Sequence, residues 1–126
     1  MVNIDRVYVT IAIVLLIAGM LLGVYMGIAA DNSLVRVHVA MMLVGFVTLA
    51  IYGFLFRLWP DMKKGRLAAV QFWLSAIGAI GIVIGAYQFA VTGAIVIVVP
   101  ASALFIVATL LLAWLFWASS ASSTQG

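Results

Sequence analysis

The sequence predicts an all-α integral membrane protein built as a four-helix bundle. Its 126 residues are 68% hydrophobic and 7% charged. The apolar residues form four runs, about 8–30, 34–59, 67–92 and 94–117, each close to the roughly 20 residues a helix needs to cross a bilayer. These runs use almost the whole chain. Residues 1–126 therefore read as a single transmembrane domain, ending in a Ser-rich tail at 118–126. The core is the bundle itself, and the first partner is the lipid bilayer.

Composition removes several function classes. The chain has no cysteine, which excludes disulfides, iron–sulfur clusters and thiolate metal sites. The isoelectric point near 9.7 comes from basic residues at the edges of the spans, so no nucleic-acid partner is expected. Those residues orient the chain. Arg6 precedes the first helix, and Arg57, Lys63, Lys64 and Arg66 surround the second loop, whereas the opposite side carries only Arg36. Basic residues favour the cytoplasmic side, so both termini and the Pro60–Arg66 loop are expected there. Tyr8, Trp59, Trp114 and Trp117 are placed where aromatic belts form.

The first run is too long for the roughly 7–15-residue apolar region of a secretory signal and is expected to be a retained span. It carries Gly19, Gly23 and Gly27 at four-residue spacing. Small residues so spaced let two backbones approach closely, because packing drives helix association in lipid. That seam suits a neighbouring helix of the same chain or of another copy.

Asp31, Asn32 and Ser33 form a polar turn that offers caps to the second helix. Pro60 stops that helix, with Trp59-Pro60-Asp61 as the turn. The third helix carries Gln71, Ser75, Gly78, Gly81, Gly85 and Gln88 along one stripe, its most polar surface. Gln and Ser serve there as hydrogen-bonding glue between helices, or line a pore together with Thr48. Pro100 is expected to bend the fourth helix near its outer end.

The candidate chemistry centres on His38, the only histidine. An ionisable group within a span is costly and marks a candidate functional site. Its helix face continues through Met42, Gly45, Leu49 and Tyr52. A neutral imidazole ligates haem or copper, and Met41 or Met42 offers a soft second ligand. Gly45, further along that face, would leave room for a flat macrocycle. The plainer reading is an interfacial histidine bonded to water, Asp31 or a backbone carbonyl. No acidic residue is expected inside a span, which removes hydrolytic triads, carboxylate metal pairs and proton-coupled export of the small multidrug type. One histidine forms no multi-histidine site within one chain, so an enzyme is not the favoured reading.

Two stretches carry a resemblance. The first is His38-Val-Ala-Met-Met-Leu-Val-Gly45-Phe46, continuing to Ile51-Tyr52-Gly53 and Phe56-Arg57-Leu58-Trp59-Pro60. The second is Gly65-Arg66-Leu67-Ala68, then Gln71-Phe72-Trp73-Leu74 and Gly78. Together they resemble short four-helix bacterial membrane proteins that are similar to subunit I of haem-copper oxidases, in the cbb3-type and nitric oxide reductase branch. His38 matches the first histidine of that pattern. Ala40 stands at its second histidine, Met42 at its asparagine and Gln71 at its third-helix histidine. Subunit I has twelve helices in three four-helix arcs, with ligand histidines on the second helix of each.

The resemblance therefore implies a bacterial inner-membrane protein and a homo-oligomer, with a trimer favoured. It further implies an association with haem b or copper through His38, or an accessory place in a respiratory complex. The alternatives are a non-catalytic assembly subunit and a small homo-oligomeric channel lined by Gln71, Ser75, Gln88 and Thr48.

Overall fold

A computed structural model describes residues 3–125, with side chains described through Ser119. It contains four helices long and apolar enough to cross a membrane, and no strand is present among the described residues. These are α1 (Ile4–Ala29), α2 (Val35–Leu58), α3 (Leu67–Thr92) and α4 (Val98–Gln125). A 3₁₀ turn, Pro60–Lys63, joins α2 to the loop before α3. The start of α1, the stretch of α4 around Ser119 and this turn lie at one end of the bundle, since Asp5 contacts Lys63 and Ser119 lines a cleft with Met62. That end is called here the terminal end.

α1 packs on α2, and α3 packs closely on α4. An aromatic cluster joins the two pairs. The Tyr8 ring stacks on Phe56 and meets Tyr52 and Phe72 edge-on, while Tyr52 stacks on Phe105 of α4. Tyr8, Leu49, Phe56, Ala68 and Ala79 are fully or almost fully buried in this core. Outward faces such as Leu21, Ile28, Phe54 and Leu110 are exposed. Their apolar character suits lipid, where hydrophobic burial gives no drive between helices and close packing must supply it.

α2 is not a uniform α-helix. Its centre, Met41–Thr48, is π-helical, and the Thr48 hydroxyl donates to the Leu43 carbonyl, five residues back, at 2.8 Å. Such segments are rare and often found at functional sites. Here the wide turn carries the two candidate methionines and Gly45.

Several expectations are corrected. α1 starts one turn earlier than residue 8, which places Asp5 inside the helix. α4 starts at Val98 rather than 94, so Pro100 sits in its first turn, where a missing N–H is harmless and needs no bend. α4 also runs to Gln125, so the helix continues through most of the 118–126 segment. The Asp31–Ser33 turn does not cap α2: Leu34 holds the cap position without a side-chain bond, and the Asp31 carboxylate accepts the Ser33 backbone N–H instead. That bond holds the exposed Asp31 carboxyl below its ordinary pKa. Tyr8, expected among the interfacial aromatics, is turned into the bundle and fully buried.

Candidate functional site

His38 is half-buried on the first turns of α2, at the end opposite the termini. Its ring lies across Gly23: a Cβ built there would stand 2.9 Å from the ring's Cε1. Its Nδ1 lies 2.8 Å from the Gly19 carbonyl oxygen. A carbonyl only accepts, so this bond assigns the proton to Nδ1 and leaves the Nε2 lone pair uncommitted. Orientation of a histidine by a backbone carbonyl is also the arrangement found behind metal-ligating rings. Asp31 is not its partner, being turned to Ser33.

The candidate methionines pack against α1 on the same side as His38. The Met42 sulfur packs against Gly19, 2.8 Å from where a Cβ would stand, and the Met41 Cβ is 3.2 Å from the same point. The space expected for a macrocycle beside Gly45 is filled by Leu15, whose side chain would meet a Cβ there at 2.7 Å. No group of three or more His, Cys, Asp or Glu that could hold a metal exists among the described residues. Leu15 leaves no room for a flat macrocycle beside Gly45 within one protomer.

The packing glycines divide. Gly19 and Gly23 are filled from within the protomer by Met42 and His38, whereas Gly27 has nothing within 4 Å and is not part of the seam inside one chain. On α3, Gly78 faces the Phe105 backbone and Gly85 the Val98 backbone, so both are points of close approach to α4.

The polar stripe of α3 is turned inward. Gln71 and Ser75 are completely buried. The Tyr8 hydroxyl donates to Gln71 Oε1 at 2.6 Å, and Gln71 Nε2 donates to Ser75 Oγ at 2.9 Å and to the Ala108 carbonyl at 3.2 Å. Ser75 Oγ donates to the Gln71 carbonyl at 2.9 Å. One amide thereby ties α1, α3 and α4. Gln88, further along, accepts the Ile97 N–H just before α4. These residues act as interhelical glue in the protomer.

The residue that composition did not bring forward is Asp5. Its carboxylate, only 3% exposed, takes Lys63 Nζ at 3.0 Å and Arg57 Nη1 at 3.2 Å. This three-membered ion pair fastens the starts of α1 and the 3₁₀ turn to the end of α2. The signal was available as a lone carboxylate one turn before the apolar run, with basic residues at the end of the next span. Comparison with protein-family models, curated proteins and solved structures finds no match to the chain.

Proposed function

We propose that this multi-pass membrane protein is a non-catalytic structural or assembly subunit of a bacterial inner-membrane complex. Its resemblance to the framework of haem-copper oxidase subunit I suggests a respiratory setting. The observation that carries the reading is the Gln71 network. Every hydrogen-bonding group of that side chain is engaged inside the protomer, with Tyr8, Ser75 and Ala108. No buried side-chain N or O atom among the described residues lacks a partner. Polar groups used in this way specify a fold. The exposed apolar faces are then available to other helices as well as to lipid. A homotrimer, which would give the twelve-helix plan of subunit I, is the simplest symmetric form.

Light scattering and native mass spectrometry of protein extracted from its own membranes in mild detergent test this reading. The expected result is a particle larger than the 13.5 kDa protomer, either a trimer or a complex with larger partners. A monomer both in detergent and in lipid nanodiscs would overturn it.

A second reading is favoured by the 2.8 Å Nδ1–Gly19 bond: His38 as one axial ligand to a haem held at the surface between copies. That arrangement predicts a Soret band in the purified oligomer that is lost in His38→Ala. A featureless visible spectrum of the intact oligomer removes it and leaves the structural role.

A further inference from the structure

At the terminal end, a cleft of about 370 Å³ opens between α1 and α2. Arg6 and Arg57 stand at it, Asp5 lies beside them, and Val9, Ile13 and Phe54 line the remainder. We propose that this cleft binds an anionic phospholipid, with the two guanidiniums on the phosphate and one acyl chain along the apolar wall.

Charge is the first argument. Arg6 is exposed and forms no ion pair among the described residues. Arg57 gives one N–H to Asp5, but its side chain is 68% exposed, and a guanidinium carries five donors in a fork that fits phosphate. Asp5 would repel an anion if it stood alone. Lys63 and Arg57 both bond it, so its charge is countered and the cleft keeps a positive surplus.

Geometry is the second argument, and it selects a lipid over a soluble anion. From Arg6 to Ile13 the helix rises about 10 Å. The charged mouth therefore sits at headgroup level when Val9, Ile13 and Phe54 face the hydrocarbon. Gly53, whose missing side chain keeps the floor of the cleft low, brings α2 against the Asp5 carbonyl and Tyr8. Basic pockets between spans on one face of the membrane are suited to anionic headgroups. The second arginine-bearing end, at Arg36, is built differently: that guanidinium lies over the Phe89 ring at 4.5 Å.

The test uses the full chain reconstituted in vesicles of equal phosphatidylglycerol and phosphatidylcholine, re-extracted in mild detergent and weighed by native mass spectrometry. Retained lipid should be predominantly phosphatidylglycerol. Arg6→Gln should reduce that preference about fivefold, the contribution expected of one basic side chain at an anionic surface, and Arg57→Gln should remove more of it. Arg36→Gln should leave it unchanged. Arg6 makes no side-chain hydrogen bond or ion pair among the described residues, so Arg6→Gln keeps the test valid even where Arg57→Gln loosens the helix ends. Equal retention of the two lipids, or an equal loss in Arg36→Gln, would overturn the proposal. Displacement of the lipid by soluble glycerol phosphate at matched concentration would also overturn it, since that outcome describes a plain anion site.

Discussion

The α1/α2 and α3/α4 pairs both rest on glycines, yet they use them in opposite ways. On α3, Gly78 and Gly85 meet backbone: a Cβ at Gly78 would stand 3.0 Å from the Phe105 nitrogen, and one at Gly85 would stand 2.6 Å from the Val98 nitrogen and Cα. In the first pair, three glycines receive side chains instead, and only Gly53, near the terminal end, also meets backbone, at the Asp5 carbonyl. Met42 fills Gly19, His38 fills Gly23 and Leu15 fills Gly45. Backbone against backbone leaves nothing to rotate away. A side-chain tip in a glycine notch can move, and it can carry chemistry. The single histidine therefore falls on the pair that tolerates adjustment, next to the π-helical segment of α2.

The strongest way to break this contrast is Gly85→Ala. The new methyl would overlap Val98 backbone atoms, so the start of α4 must shift. Overpacking of this kind costs about 1–3 kcal/mol, and the upper part of that range is expected. Gly19→Ala should cost less than about 1 kcal/mol, because the nearest atom is the flexible Met42 sulfur. Unfolding of both variants by sodium dodecyl sulfate titration in mixed micelles measures the difference. Equal losses would mean that the two pairs do not differ in kind.

Gln71→Leu comes next, because Gln71 belongs to both pairs. The substitution orphans the Tyr8 hydroxyl in the core and takes the second donor from the Ala108 carbonyl, which sits within the α4 helix, while Ser75 keeps its bond to the residue 71 carbonyl. An unsatisfied buried group costs about 1–3 kcal/mol, although interhelical bonds in lipid average nearer 0.6 kcal/mol. A loss of about 1–2 kcal/mol in the same titration is expected. Gln71→Glu should be worse at neutral pH, since it places a charge in a site without a cation. An unchanged stability in Gln71→Leu would show that the aromatic cluster alone joins the pairs.

A smaller effect is expected of Gly23→Ala, which pushes against the His38 ring at its Cε1. The ring must turn, weakening the Nδ1–Gly19 bond at a cost of about 0.5–1.5 kcal/mol. The imidazole nitrogen-15 shifts report this directly. The wild type should show the Nδ1–H tautomer and the variant a mixture. If both show the same tautomer, the glycine notch does not set the ring's orientation.

Much of this was legible in the sequence. Four apolar runs gave four helices, because the bilayer length requirement leaves little choice. The third-helix stripe was readable as interhelical glue from residue type and period, and Gln71 and Ser75 fill that role. The failures have physical causes. Asp5 lies outside the apolar run, and its burial rests on tertiary contacts with Arg57 and Lys63 that sequence does not show. Tyr8 reads in sequence only as one of the aromatics that favour the interface; that its hydroxyl bonds Gln71, a partner 63 residues away, is not visible there. Gly45 looked like open space because sequence cannot show that Leu15 of the preceding helix enters it. The π-helical turn leaves no mark in a run that is apolar throughout.

Gly27 gives the smallest effect and sharpens the comparison most. It continues the spacing of Gly19 and Gly23, but the notch beside it is empty, with nothing within 4 Å of a built Cβ. Gly27→Ala should therefore leave the protomer unharmed, with a helix-propensity gain of at most about 1 kcal/mol. Gly27→Leu separates fold from assembly. If the notch receives a helix from another copy, the larger side chain lowers the oligomer mass in light scattering while the unfolding midpoint of the protomer stays the same. If oligomer mass is also unchanged, Gly27 faces lipid only. The side-chain-into-glycine pattern of the first pair then ends at His38, and the contact between copies belongs to another face.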